Sequence, residues 1–156
     1  MNKIYLLLLG ILLVGCQTKA SYIDPIKLEF ENVSFDVVQK QLVIEPNLPI
    51  HLHMLVEEWF NKKVKINGFD GEMKFTISDY LEEVTSIADG KRVDISLSFS
   101  VILNKPTLSQ IKKIDGSVSS FGTLTGDFSL IEFDTVIQNT QSNLILRLSR
   151  YLKSKA

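Results

Sequence analysis

Apolar and polar positions alternate most regularly from Val93 to Leu103, where Val93, Ile95, Leu97, Phe99, Val101 and Leu103 are separated by Asp94, Ser96, Ser98, Ser100 and Ile102. A period of two turns successive side chains to opposite faces. The stretch therefore predicts a strand with one face on a core and the other nearly polar, as antiparallel sheets commonly show. Met73, Phe75 and Ile77 alternate with Lys74, Thr76 and Ser78 and predict the preceding strand, which continues less regularly through Leu81 and Val84. Between the two stands Asp89-Gly90, a dipeptide suited to a two-residue hairpin turn whose central positions both take positive φ. Nearer the start, Ile26, Leu28 and Phe30 alternate with Lys27 and Glu29, and Val33, Phe35 and Val37 then alternate in the opposite phase. That phase change predicts either a strand with a bulge near Glu31-Asn32 or a tight hairpin.

The period lengthens to that of a helix in two places. Pro46-Asn47-Leu48-Pro49 marks a turn, after which Leu52, Leu55, Val56, Trp59 and Phe60 recur at three- and four-residue spacing until near Val64. Ser129-Leu130-Ile131-Glu132 fits a capping box, in which the serine hydroxyl and the glutamate side chain each satisfy a helix-end N–H. Phe133, Ile137, Leu144, Leu148 and Leu152 then line one face of a long helix, with Arg147, Arg150, Lys153 and Lys155 in its last turns, where cations complement the helix dipole. Between Pro106 and Ser129, Ile114, Val118 and Leu124 suggest a further strand, interrupted by Gly116 and Gly122. The expected order is β-α-β-β-β-α. It reads as an α+β domain, a small antiparallel sheet with both helices packed on its apolar face.

Composition adds little chemistry. The 156 residues carry a formal net charge of -1, with lysines scattered among acids, which excludes the concentrated basic surface a nucleic-acid binder needs. His51 and His53 are the only histidines, and on a helix only His53 and Glu57 share a face, so no metal site is expected. Glu82 and Glu83 are adjacent in a strand and point to opposite faces, which separates them as an acid/base pair. Trp59 lies within an apolar stripe and is expected in the core. No nucleophile elbow and no phosphate loop is present, so no enzymatic activity, cofactor or catalytic residue is expected.

The remaining signal is at the N-terminus. Lys3 precedes an uninterrupted apolar run from Ile4 to Val14, shorter than the roughly 17 to 25 residues that span a bilayer as a helix, so it reads as a signal segment. The single cysteine, Cys16, follows directly in Leu13-Val14-Gly15-Cys16. This tetrad resembles the lipobox of bacterial lipoproteins. The resemblance implies cleavage after Gly15, diacylglycerol attachment to Cys16 and a membrane anchor, and Gln17 in place of aspartate implies sorting to the periplasmic face of the outer membrane. The expected organisation is a signal peptide over 1–15, an acylated tether over 16–25 and one domain over 26–156.

With the lipobox, the element order and the hairpin in place, the mature chain resembles small periplasmic lipoproteins of envelope lipid transport. The nearest architecture is that of the lipopolysaccharide-assembly lipoprotein that plugs an outer-membrane barrel. GFDGEMKFTISD and GKRVDISLSFSVIL, followed by the C-terminal helix, also resemble proteobacterial lipoproteins related to auxiliary subunits of lipid-trafficking ABC transporters. The likeness covers most of Ile26 to Leu152 and is one of pattern and order, so it carries over no binding residue. It implies a non-enzymatic adaptor or accessory subunit that meets an outer-membrane barrel or transport complex. The alternative is a structural envelope lipoprotein without lipid contact. In the adaptor reading the contacts to a partner or lipid are expected at the hairpin, Thr85 to Arg92, with Lys91 and Arg92 as the cations.

Overall fold

The computed structural model describes residues 29–156, and the lipobox, Cys16, Ile26 and Leu28 lie outside the described residues. In chain order the elements are β1 (Val33–Phe35), β2 (Gln39–Ile44), α1 (Ile50–Lys63), β3 (Val64–Ile66), β4 (Glu72–Ile87), β5 (Gly90–Lys105), a short 3-10 turn (Pro106–Leu108), β6 (Gln110–Thr125) and α2 (Leu130–Lys153). The α+β class holds, with both helices on one face of a four-stranded sheet ordered β2-β4-β5-β6.

Two short strands extend the expected order. β2 pairs parallel with β4, and β1 pairs parallel with β3 in a small second sheet, so the larger sheet is mixed rather than wholly antiparallel. The cause is α1. A helix between two strands returns the chain to the end it left, and the strand after it runs parallel to the strand before it. The first alternating stretch also contracts to Val33–Phe35, the only part of it that β3 pairs.

The core is the apolar face of the sheet closed by the two helices. A row of rings crosses it: Trp59 of α1 meets Phe75 of β4 edge-on at 5.7 Å, Phe75 stacks on Phe99 of β5 at 5.8 Å, and Phe99 meets Tyr151 of α2 edge-on at 5.5 Å. Gly116 and Gly122, which interrupt the sequence pattern of β6, lie beneath the helix. A β-carbon at Gly116 would stand 2.7 Å from Phe99, and one at Gly122 would stand 2.4 Å from the Thr140 hydroxyl and 2.7 Å from Val136. Their absence lets α2 sit close on an unbroken 16-residue strand. The capping box forms as expected, with the Ser129 hydroxyl accepting from the Glu132 N–H and the Glu132 carboxylate accepting from the Ser129 N–H. Pro49 stands at the N-cap of α1. At its other end Lys40 of β2 donates to the carbonyls of Phe60 at 2.7 Å and Val64 at 2.6 Å, placing a cation at the negative pole of the helix.

β4 and β5 are each 16 residues, about 53 Å long at the usual rise, whereas the 14 residues of α1 reach only about 21 Å. α2 runs over β5 and β6. β4 is therefore covered only in its first half: Met73, Phe75 and Ile77 are buried, whereas Leu81, Val84 and Ile87 are exposed. A register shift between Ile77 and Asp79 marks the change.

The hairpin turn differs by one residue from the sequence expectation. Ile87 pairs with Gly90, so Ala88 and Asp89 are the central residues, and positive φ falls on Gly90 alone, at +146°. Its lack of a side chain answers a second demand, because a β-carbon there would lie 1.8 Å from the Leu124 carbonyl oxygen of β6. Gly90→Val should thus cost about 2 kcal/mol or more and lower the melting temperature by roughly 5–10 °C, read by circular dichroism. An unchanged melting temperature would show that β6 can withdraw from the turn without loss.

Candidate functional site

The part of the fold that the core uses least is the distal half of β4, beside which β5 still buries Val93, Ile95 and Leu97 and α2 begins. Lys91 and Arg92 lie here, as expected, but the pleat of β5 sends them to opposite faces. Lys91 stands on the helix side, its ammonium 5.5 Å from the centre of the Phe133 ring. Arg92 stands on the open face, where its guanidinium makes two 2.7 Å hydrogen bonds to Asp94 and lies 4.4 Å from the centre of the Phe121 ring. The hydrogen bond to Arg92 holds the Asp94 carboxyl below its usual range. The structure thus gives each cation its own partner and does not bring the two together.

It does assemble a polar chain that the sequence did not suggest. Gln141 of α2 is 2% exposed, an amide within a row of leucines. Its Oε1 is 2.8 Å from Nδ1 of His51 at the first turn of α1, a bond that requires Nδ1 to carry the proton. Its side chain also bonds the phenol of Tyr80 on β4, and that phenol donates to Glu82 at the surface. Burial, then the Glu82 hydrogen bond and charge, push the Tyr80 phenol well above its ordinary range. The phenol stays protonated at physiological pH and cannot act as a phenolate nucleophile or base. The chain closes the end of the core where helical cover stops, joining α1, α2 and β4. No local spacing hinted at it, because the positions four residues either side of Gln141 are Ile137 and Ile145 and its two partners, His51 and Tyr80, come from distant segments.

The other candidates disperse. His53 approaches Glu57 at 3.7 Å on the exposed side of α1, the one pairing the helical spacing allowed. Among the described residues no group of three histidine, cysteine, aspartate or glutamate side chains is placed to hold a metal ion. Glu82 and Glu83 point to opposite faces of β4. Trp59 is fully buried, as the stripe implied. A cavity of about 340 Å³ lies at the far end of the sheet against Phe35, Leu103, Lys105 and Lys112. Its lysines are engaged, Lys105 with Asp36 and Lys112 with the Lys155 carbonyl.

No family model matches the sequence, and no curated protein matches it either. Solved structures with a similar fold exist. A minor lipoprotein from Acinetobacter baumannii superposes with a TM-score of 0.51 at 10% identity, over 76% of this chain and 94% of that one. The rare lipoprotein B from Shewanella oneidensis does so with a TM-score of 0.50 at 11% identity, over 76% of this chain and 96% of that one. At such identity the likeness is one of fold.

The polar chain can be read directly. The folded-state pKa of Tyr80 is raised, so its contribution to stability is fully present below the ordinary tyrosine value of 10.0 and is lost as pH climbs above it. In a titration followed by phenolate absorbance, one tyrosine should ionise late, and Tyr80→Phe should remove that late step. Gln141→Leu, which leaves His51 and Tyr80 without their shared partner, should cost about 1–3 kcal/mol in denaturant unfolding. A late step that survives Tyr80→Phe would assign it to another phenol.

Proposed function

We propose that this chain is a lipid-anchored envelope protein, held by an acylated Cys16 at the periplasmic face of the outer membrane, and that it acts as a non-enzymatic adaptor or accessory subunit of a barrel or transport complex handling envelope lipid. Leu13-Val14-Gly15-Cys16 supports the anchor, as do the two solved structures of similar fold, which are themselves lipoproteins. One observation carries the adaptor reading: β4 continues well past α1, exposing Leu81, Val84 and Ile87, while β5 beside it still buries Val93, Ile95 and Leu97 under α2. Strand length maintained without burial is surface available to a partner. Buried groups do not favour catalysis, since Tyr80 is held protonated and Gln141 is spent on bridging helices and sheet.

Two measurements test the proposal. Intact mass of the protein extracted from membranes should show loss of residues 1–15 and added acyl chains, and Cys16→Ser should leave an unprocessed precursor or a protein without acyl chains. Wild-type protein retaining Met1 and an unmodified thiol would overturn the anchor. Crosslinking in whole cells from a photoreactive residue at position 83, followed by denaturing purification, should yield a discrete adduct with an envelope protein. If adducts form there no more than from a residue on the buried-end loop at position 69, the adaptor reading falls and a purely structural role takes its place.

A further inference from the structure

We infer that the free edge of β4, from Asp79 to Ile87, takes up an extended, basic segment of a protein partner as an added β-strand. This deepens the adaptor reading and rests on it for the class of occupant, a protein rather than a lipid. β2 pairs with β4 only as far as Ile77, where the Glu45 N–H donates the last bond to the Ile77 carbonyl before Pro46 takes the chain away. Beyond that point no strand among the described residues pairs with the outer edge of β4, and the first outward N–H, that of Tyr80, is met at 2.9 Å by the Asp79 carboxylate. In a two-residue hairpin the residues flanking the turn form a hydrogen-bonded pair. Ile87 therefore bonds inward to Gly90, and alternation turns the N–H and C=O groups of Ser86, Val84, Glu82 and Tyr80 outward. The stretch is about 30 Å long at 3.3 Å per residue, longer than a typical whole strand. Proteins usually guard such an edge with charged side chains, lysine above all, with proline, a bulge or a short strand, and here the bulge after Ile77 and three carboxylates are the devices present. Asp79 to Ile87 has no proline and no basic residue, and its exposed side chains include Leu81, Val84 and Ile87.

The charge selects the occupant. Asp79, Glu82 and Glu83 line the edge without a cation partner among the described residues, and Asp89, Asp127 and Asp134 lie at the same end of the molecule. The two nearby cations do not offset this field freely, since Arg92 is committed to Asp94 and Lys91 to the face of Phe133. Such a surface repels lipid phosphate. A second copy of the chain would bring a second acidic edge against the first, where like charges opposite one another destabilise pairing. Because Glu82 and Glu83, and likewise Leu81 and Val84, stand on opposite faces of β4, a strand carrying both basic and small apolar side chains on each of its faces meets all three demands: main-chain bonds for the edge, cations for the carboxylates and methyl groups for Leu81 and Val84.

The test uses the full-length chain in neutral detergent micelles and, as probe, an acetylated octapeptide repeating Lys-Lys-Val-Thr, which places lysines on both faces of a strand, with its glutamate counterpart as control. Amide shifts and slowed hydrogen exchange should appear at Tyr80 to Ser86 with the lysine peptide and not with the glutamate peptide. Val84→Pro removes an outward N–H, and Glu82→Lys with Glu83→Lys reverses the charge while leaving the backbone intact. Each should weaken binding at least tenfold. Should Val84→Pro fail to fold by circular dichroism, the charge-reversed protein carries the test alone. Shifts elsewhere, equal binding of both peptides, or indifference to charge reversal overturn the inference. So does a dimer dissolved by the charge-reversed pair, which would assign the edge to a second copy. Failure here is distinguishable from failure of the adaptor reading: crosslinks to an envelope protein that persist in the charge-reversed chain discard the edge and keep the adaptor.

Discussion

Everything in this fold follows from a mismatch of lengths around one row of rings. Trp59, Phe75, Phe99 and Tyr151 fasten α1, β4, β5 and α2 to each other at separations of 5.5 to 5.8 Å, and the remaining core is arranged along that row. A helix rises about 1.5 Å per residue and a strand about 3.3 Å, so a layer of helices can cover strands of 16 residues only by being far longer in sequence than they are. α2, with 24 residues, comes close over β5 and β6. α1, with 14, covers only the start of β4. The uncovered half of β4 is what remains, and the register shift after Ile77 is where β4 changes from a core strand to an exposed one.

The boundary between those two halves has its own chemistry. Where apolar cover ends, a buried face would meet water along the side of α2, and the chain from His51 through Gln141 and Tyr80 to Glu82 occupies that border. A buried amide without partners is expensive, so Gln141 is tolerable only because two other segments present complementary groups to it. The same border separates two electrostatic regimes. At the base, cations and anions pair across elements, as Lys105 does with Asp36 and Lys153 with Glu31. At the tip, carboxylates are in excess and the two cations are held by neighbours on the same hairpin or at the start of α2.

The strands and helices that bury a strictly periodic face were legible without coordinates: β5 from its alternation, α1 from Leu52, Val56, Trp59 and Phe60, and the start of α2 from Ser129 and Glu132. These rest on local physics. Side-chain period and end-capping are properties of adjacent residues and need no partner to be recognised. β2 was missed because Gln39 to Ile44 shows no alternation. Its polar half is explained by Lys40, which reaches the carbonyls at the end of α1, a role defined only once the helix has folded back. The glycines of β6 looked like breaks and are places where a helix presses on the sheet. The hairpin turn was placed one residue too late because Asp89-Gly90 satisfies the local rule for a turn. What Gly90 answers in addition is the Leu124 carbonyl of a strand 34 positions further on.

The sequence by itself determined the α+β class, the long hairpin and both helices, because each is written in the spacing or identity of neighbouring residues. Only the tertiary structure decided that β2 and β4 run parallel, that Lys91 and Arg92 face opposite ways with partners of their own, that Gln141 links three segments, and that among the described residues no strand pairs with β4 beyond Ile77 on its outer edge. Those facts depend on which elements lie side by side and for how far. That is settled by the relative lengths of helix and strand and by the fit of rings and glycines across the core, and neither is a property of any single stretch of chain.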